Sequence, residues 1–357
     1  MTSLHDPLTL PCGQVLPNRI MKAALSEALG DKQNSPDERL ERLYTSWSRG
    51  GYGLIVTGNV MVDRSQLGEP GNVVIEDERN LDALTRWAKA TKDAGVPIWV
   101  QLNHPGRQSN PLALGHTPVA PSPVPINFPG AATPRELTPD EIDDIIERFA
   151  NAAVVCETAG FDGVQVHGAN GYLVDQFLRD GANFRTDDFG GSIESRLRFM
   201  TMVLEAVGAE IGMDKVGIRY SPNVYVQGVE DGDPATLFAA VAKRLEELKV
   251  PWIELREPRQ ATASGAIPTA PVSPAMRRFY SGKIVINSDY DWSDARRRVA
   301  DGTADAVSIG RLFISNPDLV RRIALGGPLN EGDASTFYSG GANGYTDYPT
   351  LDDARAA

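Results

Sequence analysis

Three polar side chains of different acidity follow one apolar run near the middle of the chain. The run Gly163-Val-Gln-Val is followed by His167, and Asn170 and Tyr172 come within the next five residues. An imidazole and a carboxamide can together hold a carbonyl oxygen by hydrogen bonds. A phenol, with a reference pKa of about 10, stays protonated at neutral pH and can hand over its proton. The spacing therefore predicts an oxygen clamp with a proton donor beside it, although His167 alone would fit a satisfied core histidine.

These side chains must be positioned by a scaffold, and the apolar pattern of the chain predicts one. Short apolar, β-branched runs recur, each followed by a helical pattern. This alternation is typical of an α/β fold of the (β/α)8 TIM-barrel type, in which catalytic residues lie at the carboxyl ends of the strands. A doubly wound sheet is the competing fold, but no G-x-G-x-x-G follows any predicted strand. The predicted strands are residues 20–25, 54–58, 98–102, 163–167, 216–220, 252–255, 284–287 and 306–310.

Local sequence signals place the helix starts and the long loops of this barrel. Ser35-Pro-Asp-Glu and Thr138-Pro-Asp-Glu both combine capping-box spacing with proline at the first helical position, and Asn316-Pro317 suggests the same for the last helix. The connection after the third strand, residues 103–137, is long and rich in proline, so we expect it to cover the barrel mouth. The tail after Gly327 is a second candidate cover.

Composition excludes several classes of function. The 357 residues carry a net charge of −12, which argues against a nucleic-acid or anionic-membrane surface. The sequence has no apolar run long enough for a membrane span and no signal peptide at its start, so a cytoplasmic protein is expected. Its two cysteines, Cys12 and Cys156, cannot form a disulfide framework or a four-thiolate cluster. We expect a single domain over residues 1–357, acting on a small molecule as a monomer or homodimer.

Polar residues at the predicted strand ends suggest a ligand, because buried polar groups need partners. Barrels often bind phosphate at the loops after strands seven and eight, which here are Asn287-Ser-Asp and Gly310-Arg311. Arg219, after strand five, could reach the same ligand, although a salt bridge would also explain a single arginine. The other strand-end residues are Ser26, Gly58, Gln101, Asn103, His104, His167, Asn170, Arg256 and Glu257.

These residues and their order resemble those of the Old Yellow Enzyme family of FMN-dependent ene-reductases, also called NADH:flavin oxidoreductases. The resemblance covers nearly the whole chain. It rests on Leu16-Pro-Asn-Arg-Ile, Gln101-Leu-Asn-His-Pro-Gly-Arg, His167-Gly-Ala-Asn-Gly-Tyr, Arg185-Thr-Asp-Asp-Phe-Gly-Gly-Ser, Glu257-Pro-Arg, Ile309-Gly-Arg-Leu-Phe-Ile-Ser-Asn-Pro-Asp-Leu and Thr336-Phe-Tyr.

The resemblance implies FMN at the barrel mouth, reduced by NADPH or NADH and then reducing an activated alkene. His167 and Asn170 would hold the substrate oxygen, and Tyr172 would protonate the α-carbon, so these three are the implied catalytic residues. The implied cofactor-binding residues are Ala24, Leu25, Ser26, Gly58, Gln101, His167, Arg219, Asn287, Ser288, Asp289, Gly310, Arg311 and Phe337. The implied substrate-binding residues are Asn103, His167, Asn170, Tyr172 and Tyr338.

The sequence departs from the family pattern at several of these positions. Ala24 stands where proline is common, and Ser26 where threonine or cysteine is usual, which suggests an altered flavin potential. Asn103 replaces a bulky tryptophan, which suggests a roomier pocket. Asp289 lies in a phosphate loop that is often glycine-rich, so its side chain is expected to turn away from the phosphate.

Other activities remain open from the sequence. A nitro- or nitrate-ester reductase, or an NAD(P)H oxidase, would use the same oxygen clamp. A metal-dependent barrel hydrolase would use His104, His167 and nearby carboxylates, although the chain has only four histidines. A catalytically idle flavin-binding module would be expected to have lost His167, Asn170 or Tyr172.

Overall fold

The computed structural model describes residues 2–110, 115–261, 268–288, 291–337 and 342–356. Its strands are β1 (Leu8–Thr9), β2 (Val15–Leu16), β3 (Ile20–Lys22), β4 (Leu54–Met61), β5 (Ile98–Asn103), β6 (Val119–Ala120), β7 (Arg135–Glu136), β8 (Gly163–Gly168), β9 (Val216–Tyr220), β10 (Trp252–Arg256), β11 (Lys283–Asn287) and β12 (Ala306–Ile309). Its α-helices are Glu38–Arg49, Leu81–Lys92, Pro139–Thr158, Leu173–Leu178, Ile193–Ile211, Pro234–Glu247, Ser273–Met276, Trp292–Ala300, Arg311–Ser315, Leu319–Leu325 and Leu351–Ala356. No helix in these described ranges is both long and apolar enough to cross a membrane.

Eight parallel strands close into a barrel in the order β3-β4-β5-β8-β9-β10-β11-β12. Each of them is followed by at least one helix before the next barrel strand begins, and the last pairs with the first through Val307 and Ile20. The barrel strands are almost completely buried, as expected for strands packed between an inner core and an outer helical ring. The predicted TIM barrel and all eight predicted strand positions are therefore confirmed, with bounds shifted by up to three residues.

An amino-terminal hairpin closes one end of the barrel. Strands β1 and β2 pair antiparallel, and leucines of this hairpin pack with Trp99 and Trp252 in a separate apolar cluster. The two indole rings meet edge to face at 5.4 Å, and Gln14 accepts a hydrogen bond from Trp99 Nε1 at 3.0 Å. This end is a packed apolar plug, so the opposite end, where the strands finish, is the one left for a site.

The capping predictions had mixed outcomes. Thr138 forms the predicted capping box, since its hydroxyl accepts from the Glu141 N–H and the Glu141 carboxylate accepts from the Thr138 N–H. The helix Glu38–Arg49 starts later than predicted, because the Asp37 carboxylate, rather than Ser35, accepts from the N–H of Arg39. The prediction at Asn316-Pro317 was wrong: Asp318 precedes the helix Leu319–Leu325, and the Asn316 side chain binds the end of the helix before it.

The long connection between β5 and the helix Pro139–Thr158 folds beside the barrel mouth. It contains a 3₁₀ turn at Gly106–Gln108 and a small parallel pair formed by β6 and β7. Its Arg107 side chain donates to the carbonyls of Val124 and Gln227, which fastens it to the loop after β9. None of the described residues of this connection after Asn103 lines the cavity at the barrel mouth. The connection therefore supports the mouth from the side and does not cover it as expected.

Candidate functional site

The carboxyl ends of the barrel strands surround a cavity of about 1010 Å³. It gathers residues from all parts of the chain, which only closure of the barrel brings together. The predicted residues that line it are Ala24, Leu25, Ser26, Gln101, His167, Asn170, Tyr172, Arg219, Arg256, Asn287, Ser288, Gly310 and Arg311.

The His167 imidazole offers a hydrogen-bond donor to this cavity. Its Nδ1 accepts from the N–H of Ala169 at 3.2 Å. Burial, aided by the positive charge of Arg219, lowers the pKa of His167 well below its usual value, so the ring is neutral at physiological pH. A neutral imidazole that accepts at Nδ1 carries its proton on Nε2, and Nε2 is therefore the donor.

Asn170 sits in a turn that fixes the direction of its side chain. It has a left-handed φ of 58°, and its N–H donates to Ser221 Oγ at 2.8 Å. Arg256 Nη1 lies 3.4 Å from Asn170 Oδ1 in donor geometry. Because a guanidinium can only donate, it draws the amide oxygen toward itself and leaves Nδ2 as the group that can bind a ligand.

Tyr172 completes the predicted group. Its ring stands edge to face against the His167 ring, with 4.8 Å between centroids and 84° between planes. Gly171, between Asn170 and Tyr172, has a φ of 74°, and a Cβ there would lie 2.8 Å from Val226 O and 2.9 Å from Gln108 Nε2. This position thus admits only glycine without strain, and the sharp turn it allows brings the phenol back toward the imidazole.

The loop after β5 supports this turn from behind. Gln108 Nε2 donates to Asn170 O at 2.8 Å, and the N–H of Leu173 donates to His104 O at 3.0 Å. Within the predicted motif at 101–107, Gln101 reaches the cavity, whereas His104 and Arg107 hold the loop in place.

His104 is buried outside the cavity lining, and its Nδ1 accepts from the N–H of Gly106 at 3.1 Å. Burial lowers the pKa of this imidazole to about 4. It does not share a site with His167, as the metal-dependent hydrolase required. Within the described ranges, no three His, Cys, Asp or Glu side chains come together as a metal site.

Arg219 is the buried cation of the cavity floor. Its Nη1 donates to Ala24 O and its Nη2 to Asn287 Oδ1, both at 3.2 Å. The Glu254 carboxylate lies 3.3 Å from its Nε. These contacts hold a positive charge, only 5% exposed, at the edge of the cavity between the first and seventh barrel strands.

The loops after β11 and β12 form one wall of the cavity. Asp291 caps the helix Trp292–Ala300, since its carboxylate accepts from the Asp294 N–H at 2.8 Å. Arg311 lines the cavity, and no described carboxylate forms an ion pair with it. Asp289 lies outside the described residues. This wall also contains Asp291 itself, whose carboxylate is engaged as the helix cap, so Arg311 is the side chain here that suits an anion.

Asn59 occupies the place predicted for Gly58. The pairing of β4 with β5 shifts register between Val56 and Asn59, so the chain bulges there and turns the Asn59 side chain into the cavity. Gly58 does not line the cavity, and a Cβ on it would lie 2.4 Å from Leu25 O. Asn59 Oδ1 accepts from Ser26 Oγ at 2.6 Å.

The cavity also contains an acidic residue that the sequence reasoning missed. Glu69 approaches it from the loop after β4. Burial raises the pKa of this carboxyl group, against hydrogen bonds from Ser26 and Asn72 that lower it. Other lining residues that were not predicted are Val226, Pro258, Gln260, Ala261, Asp291, Trp292, Ala295, Val307, Ser308, Ile309 and Leu312.

Two predicted ligand contacts lie away from the cavity lining. Asn103 is fully buried and does not line the cavity; its Nδ2 lies 3.6 Å from the sulfur of Met61. Phe337 is buried in the main apolar core, and its carbonyl accepts from Tyr345 Oη at 2.5 Å. Tyr338 lies outside the described residues. The same Tyr345 hydroxyl lies 3.2 Å from Ser26 O, so the tail is fastened to the edge of the site.

The Arg185-Thr-Asp-Asp-Phe-Gly-Gly-Ser motif has a supporting position. The Arg185 side chain is only 6% exposed and pairs with Asp187. It also donates to Leu137 O at 2.6 Å and to Pro121 O at 3.2 Å, which ties the long loop to the barrel. None of these residues lines the cavity.

Comparison with known proteins agrees with this architecture. Residues 3–330 match the NADH:flavin oxidoreductase / NADH oxidase family, whose members use FMN. The chain is 36% identical to 12-oxophytodienoate reductase 1 of Oryza sativa subsp. japonica over 360 residues, which cover 97% of this chain and 94% of the relative.

Solved structures give the same answer. The old yellow enzyme homologue from Zymomonas mobilis superposes with a TM-score of 0.92 at 35% identity, covering 98% of this chain and 100% of the other. Morphinone reductase, also solved in complex with tetrahydroNAD, superposes with a TM-score of 0.91 at 36% identity, covering 99% and 97%. The predicted resemblance, enzyme class and FMN cofactor are thereby confirmed, and the chain belongs to the NADH:flavin oxidoreductase / NADH oxidase family, that of Old Yellow Enzyme.

Proposed function

We propose that this protein is an ene-reductase, which uses NAD(P)H to reduce the carbon–carbon double bond of an α,β-unsaturated carbonyl compound or a nitroalkene. The observation that carries the proposal is the pair of oriented donors, His167 Nε2 and Asn170 Nδ2, with the Tyr172 phenol against the imidazole. Membership of the family indicates NAD(P)H as the reductant. The two donors and the phenol indicate an activated alkene as the acceptor, because its oxygen gains negative charge and its α-carbon needs a proton.

The residues of the cavity fit FMN. The buried guanidinium of Arg219 suits the electron-rich pyrimidine end of a flavin, where negative charge develops on reduction. Arg311, without a described carboxylate partner, suits the phosphate, as in many barrels that bind phosphate at the last two loops. Ala24, Leu25 and Ser26 would contact the ring from β3, with the Ser26 hydroxyl at its edge beside Asn59.

Bound FMN would supply the hydride chemistry, from NAD(P)H to the β-carbon of the alkene. His167 and Asn170 would donate to the carbonyl or nitro oxygen, where negative charge accumulates as the β-carbon is attacked. Because both donors are fixed by contacts already present, they need little rearrangement during the reaction. Asn170 gains further positive potential from Arg256, which lies behind its amide oxygen.

Tyr172 would complete the reduction by donating its proton to the α-carbon. The neighbouring His167 ring is neutral and stands edge to face against the phenol, whose O–H would give its proton to the carbanion-like α-carbon. Afterwards the phenolate is reprotonated from water at the open side of the cavity. The products are the saturated compound and oxidised cofactor, so hydrogen and electrons balance.

Stopped-flow kinetics of the separate half-reactions test this assignment. Tyr172→Phe should slow oxidation of the reduced enzyme by 2-cyclohexenone by about 10²–10⁴-fold, the usual range for a lost general acid. Flavin reduction by NADPH or NADH should change by less than about threefold, since it needs no proton from Tyr172.

Tyr225→Phe is the matched control, because the Tyr225 hydroxyl donates to Asp231 O at 2.9 Å and does not line the cavity. It should leave both half-reactions unchanged. An unaltered cyclohexenone rate in Tyr172→Phe would refute the proton-donor role. A wild-type rate with cyclohexenone no faster than with a saturated ketone would refute the ene-reductase itself.

A further inference from the structure

A chain of buried hydrogen bonds crosses the barrel directly beneath the cavity. Gln101 on β5, Gln165 on β8 and Glu254 on β10 point inward, and each is at most 1% exposed. Gln101 Nε2 donates to Gln165 Oε1 at 2.7 Å, and Gln165 Nε2 donates to Glu254 Oε2 at 2.9 Å. The sequence reasoning singled out only the first of these, because the other two lie in the middle of strands.

The carboxylate at the end of this chain determines the direction of every bond in it. An ionised carboxylate can only accept, so Gln165 must turn its NH₂ group toward Glu254 and its oxygen toward Gln101. Gln101 must then turn its own NH₂ group toward Gln165. Its Oε1 is left for the cavity, and no hydrogen bond between described residues occupies that atom.

The second oxygen of the Glu254 carboxylate lies close to Arg219, the buried cation of the cavity. Glu254 Oε1 accepts from Ser308 Oγ at 2.7 Å and lies 3.3 Å from Arg219 Nε. Arg219 and Glu254 are direct neighbours across the β9–β10 pairing. Since both are buried, their charges interact with little screening, and the carboxylate offsets part of the positive potential that Arg219 projects into the cavity.

We propose that Glu254 is a positioning residue that controls the flavin site in two ways. Through Gln165 it fixes Gln101 as a hydrogen-bond acceptor. Gln101 lines the cavity together with Arg219, so it would face the same pyrimidine end of the flavin and select one that carries a proton on N3. Through Arg219 it makes the site less positive and so lowers the reduction potential of the bound cofactor. This inference rests on the FMN site of the proposed function.

The first effect is tested by binding of FMN and N3-methyl-FMN to apoprotein, followed by flavin fluorescence. Wild-type protein should bind the methylated flavin at least tenfold more weakly, because an acceptor facing a methyl group is left unpaired. In Glu254→Gln the new amide can donate as well as accept, so the side-chain amides of Gln165 and Gln101 can both reverse. The preference for FMN over N3-methyl-FMN should then fall below about threefold.

The second effect is tested by the midpoint potential of the reconstituted protein. Glu254→Gln should shift it to a more positive value, because the reduced, negatively charged flavin gains from an unopposed Arg219. A tenfold change in the ratio of affinities for reduced and oxidised FMN corresponds to about 30 mV for this two-electron couple. Glu254→Asp, which keeps the charge, should restore most of the wild-type potential.

Two further variants separate the effects from general damage. Gln165→Leu breaks the amide chain but keeps the Arg219–Glu254 pair, so it should lose the N3 discrimination while the potential moves less than half as far. Glu257→Gln changes another buried carboxylate, which accepts from the N–H groups of Val272 and Ser273 and has no part in the chain. It should behave as wild type in both measurements.

The outcomes are distinct. Tenfold discrimination that persists in both Glu254→Gln and Gln165→Leu would overturn the orientation argument. An unchanged or more negative potential in Glu254→Gln would overturn the charge argument. Wild-type protein that binds no FMN would instead refute the proposed function itself, whatever the variants do.

Discussion

Gly171→Ala should disable the oxygen clamp by distorting the turn that carries it. The residue has a φ of 74°, which costs an L-amino acid about 1–2 kcal/mol. The added Cβ would also lie 2.8 Å from Val226 O and 2.9 Å from Gln108 Nε2, so one of them must move. If Gln108 moves, its hydrogen bond to Asn170 O is lost, at a cost of about 0.5–1.5 kcal/mol.

The total expected loss is about 1.5–3.5 kcal/mol in the free energy of unfolding. Gly95→Ala is the matched control, since Gly95 has a φ of 83° and no atom within 4 Å of its ideal Cβ. It should show only the backbone cost of about 1–2 kcal/mol. Urea unfolding at saturating FMN gives both values under equal ligand stabilisation.

Activity should separate the two variants more sharply than stability. A shift of Asn170 by about 1 Å is enough to cost about 100-fold in rate, so Gly171→Ala should lose that factor in alkene reduction. Flavin reduction by NAD(P)H should stay within about threefold, and Gly95→Ala should keep both rates. If the two alanine variants unfold with equal free energies and reduce cyclohexenone equally fast, the steric argument for this turn is wrong.

Three further predictions concern residues around the site. Because Asn103 is buried outside the cavity lining with no described partner for its Oδ1, Asn103→Leu should change KM for alkenes less than twofold and leave the urea midpoint equal or higher; a large KM change would show that it contacts the substrate. Arg185→Ala should lose about 2–3 kcal/mol of unfolding free energy, measured in urea, with kcat at 25 °C unchanged; loss of activity in the folded protein would contradict its supporting role. The lowered pKa values of His104 and His167 mean that the unfolded chain takes up more protons below about pH 6.5, so unfolding free energy should fall with decreasing pH by up to about 1.4 kcal/mol per pH unit for each. Urea titrations between pH 7 and 5 measure that slope, His104→Gln should reduce it, and a flat profile would count against both burial arguments.

The barrel could be predicted well because each of its strands is specified by a short, continuous segment of sequence. Each is a short apolar run whose burial on both faces leaves a continuous pattern, and the eight runs appear in the structure at the predicted places. Helix caps were harder, since Ser35 and Asp37 are both good caps by residue type. In the folded protein the backbone places Asp37, and not Ser35, where its side chain accepts from the N–H of Arg39.

The site was predicted where a motif stands directly at a strand end, as for His167, Asn170 and Tyr172. It was missed where geometry beyond one strand decides which side chain faces inward. The bulge in β4 places Asn59, in the position predicted for Gly58, at the cavity, and neither residue type predicts a bulge. Glu69 arrives from a loop, whose path depends on contacts across the fold. Glu254 lies within a strand, and its role depends on neighbours on three other strands.

The amino-terminal plug has a consequence for the order in which the molecule assembles. The β1–β2 hairpin leaves the ribosome well before Trp252, Val285 and Ala306, against which it packs. A two-stranded hairpin is at best marginally stable in water by itself. Docking of the hairpin therefore reports completion of the barrel, and quenching or shift of Trp99 and Trp252 fluorescence should be a late event in refolding.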